Sequence, residues 1–255
     1  EEAQELAQQA VQKFEREPGF FVLLGQINES KGDLAAAEEL YGRSIQLKPD
    51  ATLAYRAYAQ MLARQNRSDE AAQILQKGMK VRPSASLSGY LGEILFARGD
   101  YVGAATAFEG AVSVEQGTVA DYLAWARLAE ALSWIPGRTE ATRNAYTKAQ
   151  DLLKNKLSES PQNAQNADFV SRLGLYAAKL GDQAAVQSYV QKALSLAPEN
   201  PEILYRAGVC FEMLGQRDAA ISAINKARQL GFAMKVIESD PELLSLRRDA
   251  KYLRP

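Results

Sequence analysis

Apolar and small residues recur at three- and four-residue intervals through most of this 255-residue chain. That is the period of amphipathic helices, not the strict alternation of half-buried strands. The predicted helices come in pairs. Within a pair the turn is short, polar and glycine-bearing: Lys31-Gly32-Asp33, Arg98-Gly99-Asp100, Leu180-Gly181-Asp182 and Leu214-Gly215-Gln216. Glycine supplies the left-handed conformation that ends one helix, and in three of the four turns the adjacent Asp can cap the next. Beyond three of the second helices a proline stops the helix, at Lys48-Pro49, Arg82-Pro83 and Ala197-Pro198. Pro49 to Pro83 and Gly181 to Gly215 are both 34 residues. The pattern is therefore an internal repeat of helical hairpins.

Six units keep near-constant register. The first, residues 18–51, carries Phe21, Leu24-Gly25, Gly32, Ala37, Tyr41, Ser44 and Pro49; the second, 52–84, carries Tyr55, Tyr58-Ala59, Leu62, Ala71, Leu75, Gly78 and Pro83. The third, 85–118, has Leu91-Gly92, Leu95, Gly99, Ala104, Phe108 and Ala111, with Gln116 in place of the proline. The fourth, 122–155, has Trp125, Leu128-Ala129, Leu132 and Ala141, then a lengthened turn at Trp134-Ile135-Pro136-Gly137-Arg138. The fifth and sixth, 167–200 and 201–234, repeat the pattern through Leu173-Gly174, Gly181, Val190, Pro198, Ala207-Gly208, Gly215 and Ala220. A 34-residue helix-turn-helix unit with small residues at fixed places and a terminal proline resembles the tetratricopeptide repeat (TPR). The resemblance implies an all-α, right-handed α-solenoid of helix-turn-helix repeats, running as a single superhelical array with a C-terminal capping helix. Small residues at Gly25, Ala59, Gly92, Ala129, Gly174 and Gly208 would let the two helices of a pair approach closely.

The ends depart from the unit. Residues 1–17 read as a half repeat, Ala3 to Glu17 being one amphipathic helix, and the absence of an initiator Met suggests a fragment of a longer protein. Residues 235–255 read as a cap. Ser239-Asp240-Pro241-Glu242 starts a helix, either as a capping box or as an Asp cap with Pro in the first turn. The expected helix, Pro241 to Tyr252, sets an apolar stripe of Leu243, Leu244 and Leu246 beside a basic face of Arg247, Arg248 and Lys251. The lengthened fourth turn and this ending are similar to the C-terminal repeat region of bacterial multidomain signalling proteins, eukaryotic-like Ser/Thr kinases or winged-helix regulators. In some of those a membrane helix places the array outside the cytoplasm, so the likeness leaves the compartment open. The Asn/Gln/Ser-rich run from Ser158 to Asn166 reads as a loop extension between units.

Composition narrows the chemistry. There is no histidine, which removes Ser-His-Asp triads, Cys-His dyads and His-ligated zinc. One cysteine, Cys210, allows no internal disulfide, and its apolar neighbours predict a buried, inert thiol. Thirty basic and 31 acidic residues give a net charge of −1, against a nucleic-acid partner held by net charge. No apolar run approaches the length of a membrane span. No Gly-rich phosphate loop and no kinase motif occur. The expectation is a protein without catalytic residues, metal or cofactor: a scaffold binding a peptide or protein partner, or alternatively a module that self-associates through its edge or convex face.

In TPR arrays the first helices of successive units line the concave face. The groove-facing places here are Val22, Gln26, Glu29, Arg56, Gln60, Arg64, Glu93, Phe96, Glu130, Ser133 and Trp134 in the first four units. Ser171, Leu175, Lys179, Tyr205, Val209, Glu212 and Met213 follow in the last two. The Lys/Asn/Arg clamp of chaperone-tail-binding repeats is absent, since its places hold Val22 and Gln26. Arg56 and Arg64, about two turns apart on one helix face, could hold a carboxylate; they could equally be solvated or pair with Glu93 and Glu29. Phe96 and Trp134 are the aromatic anchor candidates, Trp134 being also a candidate for packing the lengthened turn.

Overall fold

The residue before a proline is pushed out of the helical region by the pyrrolidine ring, and three of the hairpins end that way. Lys48 and Arg82 are extended, with φ of −139° and −148°, and Ala197 also leaves the helical region, with φ −149° and ψ 73°. The computed structural model describes residues 5, 16–114, 121–249, 251 and 252, and all its regular elements are helical. The first hairpins are α1 (Pro18–Ser30) with α2 (Leu34–Leu47), α3 (Thr52–Arg64) with α4 (Ser68–Val81), and α5 (Ala85–Ala97) with α6 (Tyr101–Val114). There follow α7 (Tyr122–Ser133), α8 (Thr139–Ser158), the single turn α9 (Pro161–Ala164), α10 (Ala167–Leu180), α11 (Gln183–Leu196), α12 (Pro201–Met213), α13 (Arg217–Gln229) and α14 (Met234–Ser239). Two 3₁₀ turns, Pro241–Leu243 and Leu246–Arg248, close the chain.

The chain divides into two compact units, one of residues 1–120 and 127–139, the other of 121–126 and 140–255. In the first, Val22, Ala37, Tyr41, Tyr55, Met61, Leu62, Leu75, Leu87 and Leu91 form one buried cluster running through α1–α5. In the second, Ala177, Val186, Val190, Ala207 and Cys210 pack together among α10, α11 and α12, and Val170, Ala193 and Ile203 extend that core.

The turn chemistry is as the sequence predicts. Asp33, Asp100 and Asp182 accept hydrogen bonds from the backbone N–H groups of Ala36, Gly103 and Ala185. The second hairpin has no glycine in its turn. Asn66 takes the left-handed conformation there, at φ 61°, the one described non-glycine residue to do so; asparagine tolerates this region better than other side chains. The expected half repeat, Ala3–Glu17, lies mostly outside the described residues, as does Gln116.

Two expectations are corrected. The cap is not one helix from Pro241 to Tyr252. It is α14 followed by the two 3₁₀ turns, and these bury Leu243 and Leu246 while leaving Leu244 half exposed. A three-residue period brings 243 and 246 to one side and turns 244 away. Asp240 is the cap, accepting from the Glu242 N–H beside Pro241. The Ser158–Asn166 stretch is likewise not an open loop: Ser160 caps α9, Asn163 donates to the Lys156 carbonyl, and Asn166 caps α10.

The small residues do set the helix spacing. A Cβ built on Gly92 would lie 2.6 Å from the Phe108 ring, and one on Gly25 2.7 Å from that of Tyr41. At Gly174 the nearest atom, on Val190, is 3.3 Å away. Gly92→Ala is therefore expected to lose about 1–3 kcal/mol by overpacking. Gly174→Ala should be near neutral, since the better helix propensity of alanine offsets a milder contact. Urea unfolding of the two variants checks the contrast; Leu173→Ala, deleting a fully buried side chain, should cost about 2–5 kcal/mol in the same assay.

Candidate functional site

Helix periodicity puts Gln26 and Glu29 of α1 and Gln60 and Arg64 of α3 on one face, and in the first unit they line a common cleft. Its volume is about 490 Å³, and Leu34, Tyr41, Ala57, Met61 and Gln65 complete the wall. Glu29, largely buried, is held from two sides: it accepts from the Tyr41 hydroxyl at 3.0 Å and pairs with Arg64 at 2.9 Å. Burial, and next the bond to Glu29, push the Tyr41 phenol well above its usual range. The guanidinium of Arg64 is thus engaged within the fold.

Arg56 differs. It is exposed, donates to the Ser86 hydroxyl at 3.1 Å, and pairs with no carboxylate among the described residues. Both arginines act on Tyr90 of α5, whose phenol burial pushes up while Arg64 and Arg56 pull it back. Tyr90 stands one 34-residue period after Arg56. The register contained that signal, and the groove-facing set drawn from the sequence omitted it. Glu93 pairs with neither arginine; its partner is Arg127 of α7.

The aromatic candidates form a stack. The Trp134 ring lies 4.9 Å from that of Tyr101 at an interplanar angle of 12°, and Phe96 meets Tyr101 edge-on at 5.2 Å. Phe96 stands one period after the core residue Leu62. Trp134 keeps 40% of its surface exposed while packing the lengthened turn, so its outer face is open. Glu130 is exposed on α7, and its carbonyl accepts from Ser133.

On the outer side of the same unit, Tyr58 donates to Glu38 at 3.0 Å, Arg67 also bonds Glu38, and Arg67 takes Glu70 through two bonds of 2.7 Å. In the second unit Asp168 collects Arg172 at 2.8 Å and Arg206 at 2.7 Å. The groove-facing places of α10 and α12 are not open. Lys179 pairs with Glu242, Tyr205 donates to Asp240 and stacks on Phe232, and Val209 is buried against Ile237, Leu243 and Leu246. Cys210 is fully buried, and burial raises its thiol to about 12, so it holds its proton and is a poor nucleophile at neutral pH. Among the described residues no group of three or more His, Cys, Asp or Glu could hold a metal ion, and no helix is long and apolar enough to cross a membrane.

The tyrosine–glutamate pairs carry a pH consequence. Burial, and then the bond to Glu38, raise the Tyr58 phenol to about 12 from its usual value near 10.0. Folding therefore holds a proton that the unfolded chain releases first. The stabilisation is complete below pH 10 and is lost as pH rises toward 12. Urea midpoints measured from pH 9 to 12 should fall, and less steeply in Tyr58→Phe. Asp168 behaves oppositely. Burial alone would raise its carboxyl, but Arg172 and Arg206 together hold it below the ordinary value of 3.8. Its contribution is present above that value, disappears as acid takes the carboxylate below it, and is absent in Asp168→Asn.

The tetratricopeptide-repeat family model matches residues 1–52 and 171–231. Cellulose synthase operon protein C of Pseudomonas fluorescens (strain SBW25) is 37% identical over 90 residues, which are 34% of this chain and only 7% of that protein. The fold is similar to that of the APC/C hetero-tetramer Cut9-Hcn1, with a TM-score of 0.61 and 14% identity over 94% of this chain and 44% of that one. It is similar to a tetratricopeptide repeat protein from Parabacteroides merdae ATCC 43184, with a TM-score of 0.59 and 17% identity over 97% and 91% of the two chains. YrrB, a TPR protein with an unusual peptide-binding site, gives a TM-score of 0.51 at 16% identity, over 78% of this chain and 96% of its own. At these identities the likeness to the solved structures is one of fold.

Proposed function

We propose that this chain is a tetratricopeptide-repeat array acting as a non-enzymatic scaffold that holds an extended, acidic segment of a partner protein against the first helices of its leading repeats. Arrays of this kind are protein–protein interaction scaffolds and in general carry no catalysis of their own. The observation that supports the reading is the state of Arg56. It is an exposed guanidinium with no carboxylate partner among the described residues, beside the Tyr90 phenol and next to a cleft edged by the Gln26 and Gln60 amides. Primary amides can bond the main chain of an extended peptide in both senses, and a guanidinium takes a carboxylate through two bonds. Arg64 is a supporting member, since Glu29 already holds it. Further along, Phe96 and Trp134 offer an aromatic surface, with Glu93 and Glu130 as acidic flanks. The match to a small stretch of a much longer relative supports placing this array as one regulatory or assembly module of a larger protein. The kinase and winged-helix settings have no counterpart among the relatives named above.

The test is an array of extended peptides, with and without carboxylates, presented to the full chain. Arg56→Glu should weaken binding of the carboxylate-bearing peptides by about tenfold or more, about 1.4 kcal/mol, with an unchanged helical spectrum. Trp134→Ala should weaken those that reach the aromatic surface. Equal binding by wild type and Arg56→Glu would sink the reading. Light scattering decides the competing one: mass that grows with concentration, with no peptide bound, would make the chain a self-associating module.

A further inference from the structure

The chain's own C-terminal segment lies where a partner would lie on the last two repeats. The places of α10 and α12 that repeat register assigns to the inner face are Ser171, Leu175, Lys179, Tyr205, Val209, Glu212 and Met213; Ser171 accepts from Arg206, and the others lie toward the tail. Lys179 bonds Glu242 at 2.6 Å, and Tyr205 donates to the Asp240 carboxylate. Val209 lies in a cluster with Leu243 and Leu246, and Leu175 and Met213 pack against it. Glu212 holds Arg217 at 2.8 Å, and Arg217 reaches on to the Ser245 hydroxyl at 2.9 Å.

The segment does this without the regular architecture of a repeat. It consists of two three-residue 3₁₀ turns either side of Leu244 and Ser245. Two leucines three residues apart, both 0% exposed, are the anchors, and an acidic pair before them meets a lysine and a tyrosine. Apolar anchors in pockets with charges at the rim is how a short peptide is recognised by a groove. A helix that merely sealed an open end would instead present a continuous apolar stripe to it.

We infer that residues 240–246 are an internal ligand: the inner face of the last two repeats is a second peptide site, specific for an acidic-Pro-acidic-Leu-x-x-Leu segment and closed by the chain's own copy. Tethering keeps that copy at an effective concentration of about millimolar. A partner segment of the same pattern therefore enters only when the tail is displaced, and its binding and the tail's are mutually exclusive. The site lies within the second unit and stands or falls separately from the Arg56 cleft of the first.

The experiment uses the full chain and a fluorescent peptide of the sequence Ile237–Tyr252. Wild type should not bind it at micromolar concentrations. The double variant Leu243→Ala, Leu246→Ala should bind it at least tenfold more tightly than wild type, and adding Lys179→Glu should remove the gain. A double variant that stays helical yet does not bind, or a gain untouched by Lys179→Glu, overturns the inference. Hydrogen exchange on the wild type decides the matter even if the double variant unfolds. Amides of residues 240–249 should open without those of α12 and α13. Exchange of all three only through one common unfolding event would mean a permanent cap.

Discussion

Close approach between the two helices of a hairpin is the constraint on which the rest of this molecule depends. It is set where a residue lacks a side chain large enough to intervene: Gly25 beneath Tyr41, Gly92 beneath Phe108, Gly208 beneath Ile224. An aromatic or branched side chain of the second helix lies directly on the backbone of the first. The hairpin is thereby a fixed brick with its apolar contacts turned inward and toward its neighbours. The first helices keep other polar positions outside these contacts, among them Gln26, Arg56, Gln60 and Arg64, and these are the residues of the proposed partner face. The packing rule leaves the chemistry of that face free.

Much of this was legible in the sequence for a physical reason. Positions that must be small, or must adopt the left-handed conformation, or must stop a helix, accept few residue types and so announce themselves. The Asp33, Asp100 and Asp182 caps and the proline-terminated second helices followed directly. The second hairpin escaped because Asn66 does what glycine does elsewhere, and a search for glycine passes over it. The ending was misjudged for a different reason. Leu243, Leu244 and Leu246 fit a helical stripe on paper, but a proline start and the need to seat two leucines against α12 and α13 favoured the tighter 3₁₀ turn.

The candidate site was legible in position but not in state. Register placed Gln26, Gln60 and Arg64 on one face, and the structure gathers them around one cleft. Which arginine was already occupied could not be read, because Glu29 and Arg64 lie on different hairpins and their meeting depends on tertiary distance. Only the folded structure separates Arg64, held by Glu29, from Arg56, which among the described residues is held by a serine hydroxyl and by no carboxylate. The inner-face residues of the fifth and sixth repeats are the counterpart. The residue that meets Lys179 there, Glu242, comes from 63 residues further on, which no local pattern signals.

The polar pairs between neighbouring repeats have a bearing on how such a chain can change. Their arrangements differ from junction to junction: Glu29 with Arg64, Glu38 with Arg67 and Asp50 with Arg82 between the first and second repeats, Asp69 with Arg98 between the second and third, Asp168 with Arg206 between the fifth and sixth. The apolar bricks are nearly alike, but their mating edges are keyed differently. Duplicating, deleting or shuffling one repeat would keep the oily fit and mismatch the keys on both sides. The order of repeats is thus written in charge as well as in apolar packing.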